Sequence, residues 1–290
     1  MKRERILSCV AVALLSVVAF AFAVFGQSPA HAATVDDAIC ETYKPSGTQR
    51  LTGAPAIILE ANDKATLNTI GVGGERPTCV ILNFGADGKA ADADGNGLCD
   101  FETLYKTVLK GKIIPVLRVN TESAADAMIG FYLNKTSIID SAVLSSDPAI
   151  LKKVRKALPK IRGVYEADDN TDVKKLPGIA NAAYANTVIL SADRASTDTV
   201  AYIQARFKTV WVRTASPDAF SVSDAAASGA YGVITTDYAA AYATFAAYPK
   251  ESLARTSFNV AHRGLPTSKN ENSVSGLLAA AKAGAAHVEL

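Results

Sequence analysis

Histidine is the scarcest proton-transfer side chain here: the 290 residues hold three, His31, His262 and His287. His262 opens the tripeptide His262-Arg263-Gly264, directly after the short run Phe258–Ala261. A histidine at a strand end serves as acid or base. The planar fork of the adjoining arginine can clamp phosphate oxygens. Asn270-Glu271-Asn272-Ser273 follows, then the helical stretch Val274–Ala283, then a second strand through His287-Val288-Glu289. Glu289 is a hard oxygen ligand of the kind Ca²⁺ or Mg²⁺ takes. Such a set suits phosphodiester cleavage, which needs charge neutralised at the phosphoryl oxygens, a proton acceptor and a donor to the leaving alkoxide. His287 shares a strand face with Glu289 and is read as an inner-layer side chain, not as a second catalytic histidine.

This order of elements resembles the opening of the glycerophosphodiester phosphodiesterase family. That family begins its barrel with a strand ending His-Arg-Gly, a Pro-Glu-Asn-Thr turn, a helix and a second strand reading Glu-Leu-Asp. Here Asn270 stands at the Pro position and Ser273 at the Thr position. The resemblance covers residues 256–290 directly. It implies a metal-dependent hydrolase that cuts glycerophosphodiesters to glycerol 3-phosphate and an alcohol. His262 and Arg263 would be catalytic, and a divalent metal, Ca²⁺ or Mg²⁺, would sit on Glu289 with Glu271 nearby. It also implies an Asp two residues after Glu289, a second histidine and a later Glu, all beyond Leu290. A (β/α)₈ barrel takes about 250 residues. Residues 256–290 are therefore expected to be the N-terminal fragment of a second barrel, and the chain as given to be inactive. The alternative is an encoded short form whose strand-helix-strand piece docks on the first barrel.

Upstream, eight short apolar runs alternate with helix-like stretches: Ala56–Glu60, Cys79–Phe84, Ile113–Val119, Ser141–Ser145, Arg162–Ala167, Thr187–Ser191, Thr209–Thr214 and Tyr231–Thr236. Continuous apolar runs suit strands buried on both faces. Asp147 and Pro148 mark one helix start as N-cap and first residue. Ser216-Pro217-Asp218 opens another, which Gly229 ends. Eight strand-helix units predict an α/β fold, a closed (β/α)₈ TIM barrel over residues 54–250. An open doubly wound sheet is the alternative. It calls for a Gly-rich turn after a strand, which Gly71-Val72-Gly73-Gly74 does not supply. The strands Val210-Trp211-Val212 and Gly232-Val233-Ile234-Thr235 resemble the seventh and eighth strands of the same family. The first barrel thus reads as a degenerate copy, with Glu60-Ala61-Asn62 where His-Arg-Gly belongs.

Barrel chemistry sits at the C-terminal strand ends, which here carry Glu60, Asn83, Arg118, Asn120, Ser146, Glu166, Asp168, Asp193, Arg213 and Asp237. Glu166 and Asp168 can be a metal pair, and Arg118 with Arg213 can hold an anion; the plain alternative is a polar rim. No histidine lies between Ala32 and Ala261, which excludes a histidine mechanism for this barrel. Asp92, Asp94 and Asn96, with Gly97 following, resemble the start of a calcium loop. The twelfth position is Thr103 where a bidentate Glu belongs, and Glu102 falls one place early.

Lys plus Arg number 30 and Asp plus Glu 28, a balance without the basic footprint of a nucleic-acid binder. The basic start Met1–Arg5, the apolar run Ile6–Phe25 and the site Ala30-His31-Ala32 predict a signal peptide over residues 1–32, with an uncleaved anchor as alternative. Residues 33–53 form a polar lead-in. Export would make the protein secreted or envelope-associated. It would also leave Cys40, Cys79 and Cys99 in an oxidising compartment. Cys79 and Cys99 are expected at opposite ends of the barrel, too far apart to bridge; pairing of Cys40 with one of them is preferred.

Overall fold

The computed structural model describes residues 51–52, 54–70, 75–133, 140–249, 252–253, 260–266, 270–285 and 287–289. Residues 1–32, where a signal peptide is expected, and Cys40 lie outside them. The chain divides into two compact units, Pro45–Ser257 and a second that includes Phe258–Leu290.

In the first unit, besides a short parallel pair of Leu51–Thr52 with Ser252–Leu253, the strands are β1 (Ala56–Glu60), β2 (Cys79–Phe84), β3 (Lys89–Ala91), β4 (Gly97–Asp100), β5 (Ile114–Arg118), β6 (Ala142–Ser145), β7 (Arg162–Glu166), β8 (Thr187–Ser191), β9 (Thr209–Arg213) and β10 (Gly232–Thr235). Eight of them pair in parallel in the order β1-β2-β5-β6-β7-β8-β9-β10, and β10 returns to β1. That closure excludes the open sheet. All eight predicted runs are the barrel strands, with no end shifted by more than one residue.

The helices follow their strands: α1 (Lys64–Asn68), α2 (Phe101–Leu104), α3 (Glu122–Leu133), α4 (Pro148–Ala157), α5 (Leu176–Ala182), α6 (Thr197–Gln204), α7 (Ala219–Ala227) and α8 (Tyr238–Ala246). Local chemistry sets their starts. Asp147 accepts from the Ala149 amide at 2.7 Å with Pro148 in the first turn, and Asp218 accepts from the Ser221 amide at 2.9 Å. Such side chains satisfy amides that the helix leaves unpaired. Gly229 takes the left-handed turn after α7, at φ +85°.

Between β2 and α2 lies the stretch that resembles the start of a calcium loop. The structure has a hairpin there, β3 and β4, which pairs antiparallel to the end of β2. Short, glycine-flanked and low in β-branched residues, these strands carry little periodic signal.

Two cores follow from strand alternation. Outward residues such as Leu59, Val80, Leu117, Val143 and Val188 pack under the helices. Inward residues Ile58, Cys79, Ile81, Val116, Ala142, Leu144, Val164, Ile189 and Ile234 fill the barrel, with Trp211 packed against them.

In the second unit, β11 (Val260–Ala261) pairs in parallel with β12 (His287–Val288), joined through α9 (Val274–Lys282). Ser273 caps α9, accepting from the Gly276 amide at 3.0 Å and donating to the Asn270 carbonyl at 2.6 Å. A short side-chain oxygen is what that position requires, so Ser serves where the family carries Thr.

Candidate functional site

Register in the second unit sets the neighbours of His262. Opposite Ala261 lies Val288, so the residues just past the two strands, His262 and Glu289, meet. His262 Nδ1 lies 2.5 Å from Glu289 Oε2. The Glu289 backbone brackets the tripeptide: its amide donates to Ala261 and its carbonyl accepts from Gly264, at 2.9 and 3.0 Å. A carboxylate on Nδ1 fixes the imidazole and leaves Nε2 to move a proton. Both side chains are about half exposed. Arg263 donates through Nη1 to Glu271 Oε2 at 3.0 Å. The structure therefore gathers the four predicted residues into two pairs, His262 with Glu289 and Arg263 with Glu271. His287 is half-buried on β12.

A divalent cation finds no closed site in these residues. Ca²⁺ takes six to eight oxygen ligands and Mg²⁺ six. Here Glu271 and Glu289 each hold a cationic or imidazole partner, and among the described residues no three His, Cys, Asp or Glu side chains converge as a metal group. Among the described residues, Glu271 and Glu289 alone do not complete the ligand shell of such a cation. At the other proposed cation position, Asp92, Asp94 and Asn96 form the turn of the β3–β4 hairpin. Asp92 Oδ1 accepts from the Asp94 and Asn96 amides at 3.0 and 2.8 Å, and Oδ2 from Asn96 Nδ2 at 3.0 Å. The Asn96 side chain, foremost among these donors, holds the Asp92 carboxyl below its usual range. Thr103 is bound to the capping Asp100, and Glu102 pairs with Lys106 at 2.9 Å.

The mouth of the first unit's barrel is filled. Glu60, Arg118, Glu166 and Arg213 each stand two residues beyond an inward apolar residue, Ile58, Val116, Val164 and Trp211. All four therefore face inward. They come from β1, β5, β7 and β9, alternate strands of the ring, which is how barrels build a four-residue layer. Arg213 Nε donates to Glu60 Oε2 at 2.9 Å, and Nη2 to Glu60 Oε1 at 3.2 Å and to Glu166 Oε1. Arg118 Nη2 donates to Glu60 Oε1 and, at 3.1 Å, to Glu166 Oε1; its Nη1 reaches Asn83 Oδ1 at 3.2 Å. Burial alone would raise the Glu60 carboxyl, but Arg213 and Arg118 outweigh it and hold it below the usual range. Burial likewise opposes the Arg213 charge, and Glu60 and Glu166 more than offset it.

This ring corrects two sequence expectations. Arg118 and Arg213 do not clamp an external anion, because each is neutralised by two carboxylates. Glu166 and Asp168 are not a metal pair: Glu166 turns to the arginines, while Asp168 accepts from the Asn170 amide at 2.6 Å. All four ring residues were among the candidates. What was missed is their arrangement, which the shared two-residue step past the last inward apolar residue signals.

No family model matches the sequence, and no curated protein does. Among solved structures the chain is similar to a glycerophosphodiester phosphodiesterase of Parabacteroides distasonis (TM-score 0.52, 11% identity), over 67% of this chain and 97% of that one. It is also similar to an Oleispira antarctica phosphodiesterase in complex with the product sn-glycerol-3-phosphate (TM-score 0.50, 13% identity, 67% and 97%). Only the barrel unit is long enough to supply that share. The barrel has the glycerophosphodiester phosphodiesterase fold. Within that fold, the first strand of this barrel ends in Glu60 and closes its mouth with a neutral ring. His262-Arg263-Gly264 stands in the other unit.

Proposed function

We propose that these residues belong to an exported phosphodiesterase that hydrolyses glycerophosphodiesters to glycerol 3-phosphate and an alcohol, with its chemistry in the barrel that the His262 unit begins. The observation that carries this reading is the His262–Glu289 pair, 2.5 Å apart, directly beside Arg263. In the reaction water adds to phosphorus, the bond from phosphorus to the alcohol oxygen breaks, and a proton moves from the water to the leaving alkoxide. His262, held through Nδ1, supplies one half of that proton transfer at Nε2. Arg263 neutralises charge on the phosphoryl oxygens. Dependence on Ca²⁺ or Mg²⁺ belongs to the proposal through the family resemblance alone. Export rests on the pattern of residues 1–32, and cell-envelope association follows from it.

The filled barrel mouth favours a second reading for the first unit: a non-catalytic binding or cell-surface interaction module. The deciding assay is release of glycerol 3-phosphate from glycerophosphocholine by the full-length protein with Ca²⁺ or Mg²⁺. Turnover that falls at least about a hundredfold in His262→Ala supports the phosphodiesterase. Wild-type protein without turnover leaves the binding module.

A further inference from the structure

The metal role that the family resemblance gives Glu271 disagrees with where the structure puts it. We propose that Glu271 is a positioning residue for Arg263: it presents the guanidinium to phosphate. This inference rests on the phosphodiesterase reading for its substrate.

Arg263 has φ +52°, a left-handed conformation that residues other than glycine seldom adopt. Two adjacent residues hold it there. The Asn272 amide donates to the Arg263 carbonyl at 3.0 Å, and the Glu271 carboxylate accepts from Arg263 Nη1, also at 3.0 Å. One dipeptide thus grips both ends of the arginine. Asn272 is itself left-handed, at φ +52°. The next residue, Gly264, at φ +83°, lies so close to α9 that an added Cβ would sit 3.2 Å from the Gly276 carbonyl carbon. The turn has no slack on that side. A long arginine chain loses rotamer freedom when it binds phosphate, and a carboxylate that already holds one amino group removes part of that loss. It uses Nη1 and leaves the Nε–Nη2 edge for the two parallel bonds that phosphate accepts. The carboxylate is half-buried, at 27% exposure, and faces a cation. A metal ion there would have to compete with the arginine for that carboxylate.

The test uses the full-length protein, glycerophosphocholine and saturating Ca²⁺, in a double-mutant cycle. Glu271→Gln keeps the shape and an acceptor oxygen but loses the charge. It is expected to raise KM about tenfold with kcat within about threefold, the signature of lost binding shared by ground and transition states. In an Arg263→Lys background the same change should add less than about twofold, because the two residues act as one unit. Independent losses that multiply, and that a large excess of Ca²⁺ restores, would make Glu271 a metal ligand and overturn the proposal. A second arm needs no activity. In ¹⁵N spectra of arginine side chains, the Arg263 signal should show hindered guanidinium rotation that Glu271→Gln releases. An unchanged Arg263 signal overturns the proposal. If wild-type protein shows no turnover, the phosphodiesterase reading falls, and the spectra alone decide whether Glu271 holds Arg263.

Discussion

Arg213 and Glu60, 153 residues apart in sequence, meet fork to fork at the barrel mouth, with Nε on Oε2 at 2.9 Å and Nη2 on Oε1 at 3.2 Å. The Glu60 side chain is only 8% exposed, and Arg118 approaches it from the other side. Removing the carboxylate therefore leaves two guanidiniums to share Glu166 alone in a partly buried place. Breaking such a buried set by deleting one partner costs about 3–5 kcal/mol. Glu60→Ala is expected to lose that much unfolding free energy in urea at pH 7. A loss below about 1 kcal/mol, the level of a surface ion pair, would show that the ring is not buried as described.

The same carboxylate predicts an acid limb. Arg213 and Arg118 hold the folded-state pKa of Glu60 below its ordinary value, against the upward pull of burial. Above the unfolded value of about 4.3, Glu60 is charged in both states and its contribution is complete. Below it the unfolded chain takes up the proton first, so stability falls as pH drops through the folded value. Wild-type protein should lose urea resistance more steeply than Glu60→Gln between pH 5 and 3, since the variant lacks the titrating group. Parallel acid limbs would remove Glu60 from the cause.

Much of this was legible in the sequence because barrel strands buried on both faces are continuous apolar runs, and the helix starts at Asp147 and Asp218 carry their own capping chemistry. The His262 site was legible because its residues lie within 28 positions of one another in a fixed order of elements. What could not be read is what depends on closure. Glu60 and Arg213 become neighbours only when the last barrel strand pairs with the first, and nothing local at either residue announces it. The hairpin after β2 escaped for the opposite reason: its strands are too short to show a period.

Closure also makes a large residue depend on a small one. Trp211 and Gly232 are register partners on β9 and β10, and the indole occupies the space beside the glycine. A Cβ on Gly232 would lie 2.6 Å from both Trp211 Cδ1 and Ile58 Cδ1. Gly232→Ala should cost about 1–3 kcal/mol, the usual range for an overpacked core. Trp211→Leu should recover part of that loss in the double variant, although alone it leaves a cavity and destabilises. Additive losses in urea would mean that the two side chains do not share one volume.

Cys79 lies inside the barrel and Cys99 on the hairpin, and the two are not joined to each other. Burial pushes the Cys79 thiol up to about 12. Only thiolate reacts with an alkylating agent, so at pH 8 iodoacetamide should modify Cys99 in the reduced native protein and leave Cys79 intact until urea unfolds the barrel. Rapid native labelling of Cys79 would contradict its place among Ile58, Ile81 and Val116.

The last prediction separates the two places where phosphodiester chemistry can reside. If it resides in the barrel, Glu166 is the best remaining carboxylate at the mouth. The ring argues against that, because both guanidiniums that approach Glu166 also neutralise Glu60, and the layer carries no net charge for an anionic substrate to seek. Glu166→Gln keeps the side-chain volume and an acceptor oxygen for Arg118 and Arg213. Release of glycerol 3-phosphate should therefore stay within about twofold of wild type, while His262→Ala loses at least about a hundredfold. The opposite result, activity that survives His262→Ala and collapses in Glu166→Gln, would move the active site into the barrel. The ring would then be the resting form of a site that opens when substrate binds, and not a permanent closure of the mouth.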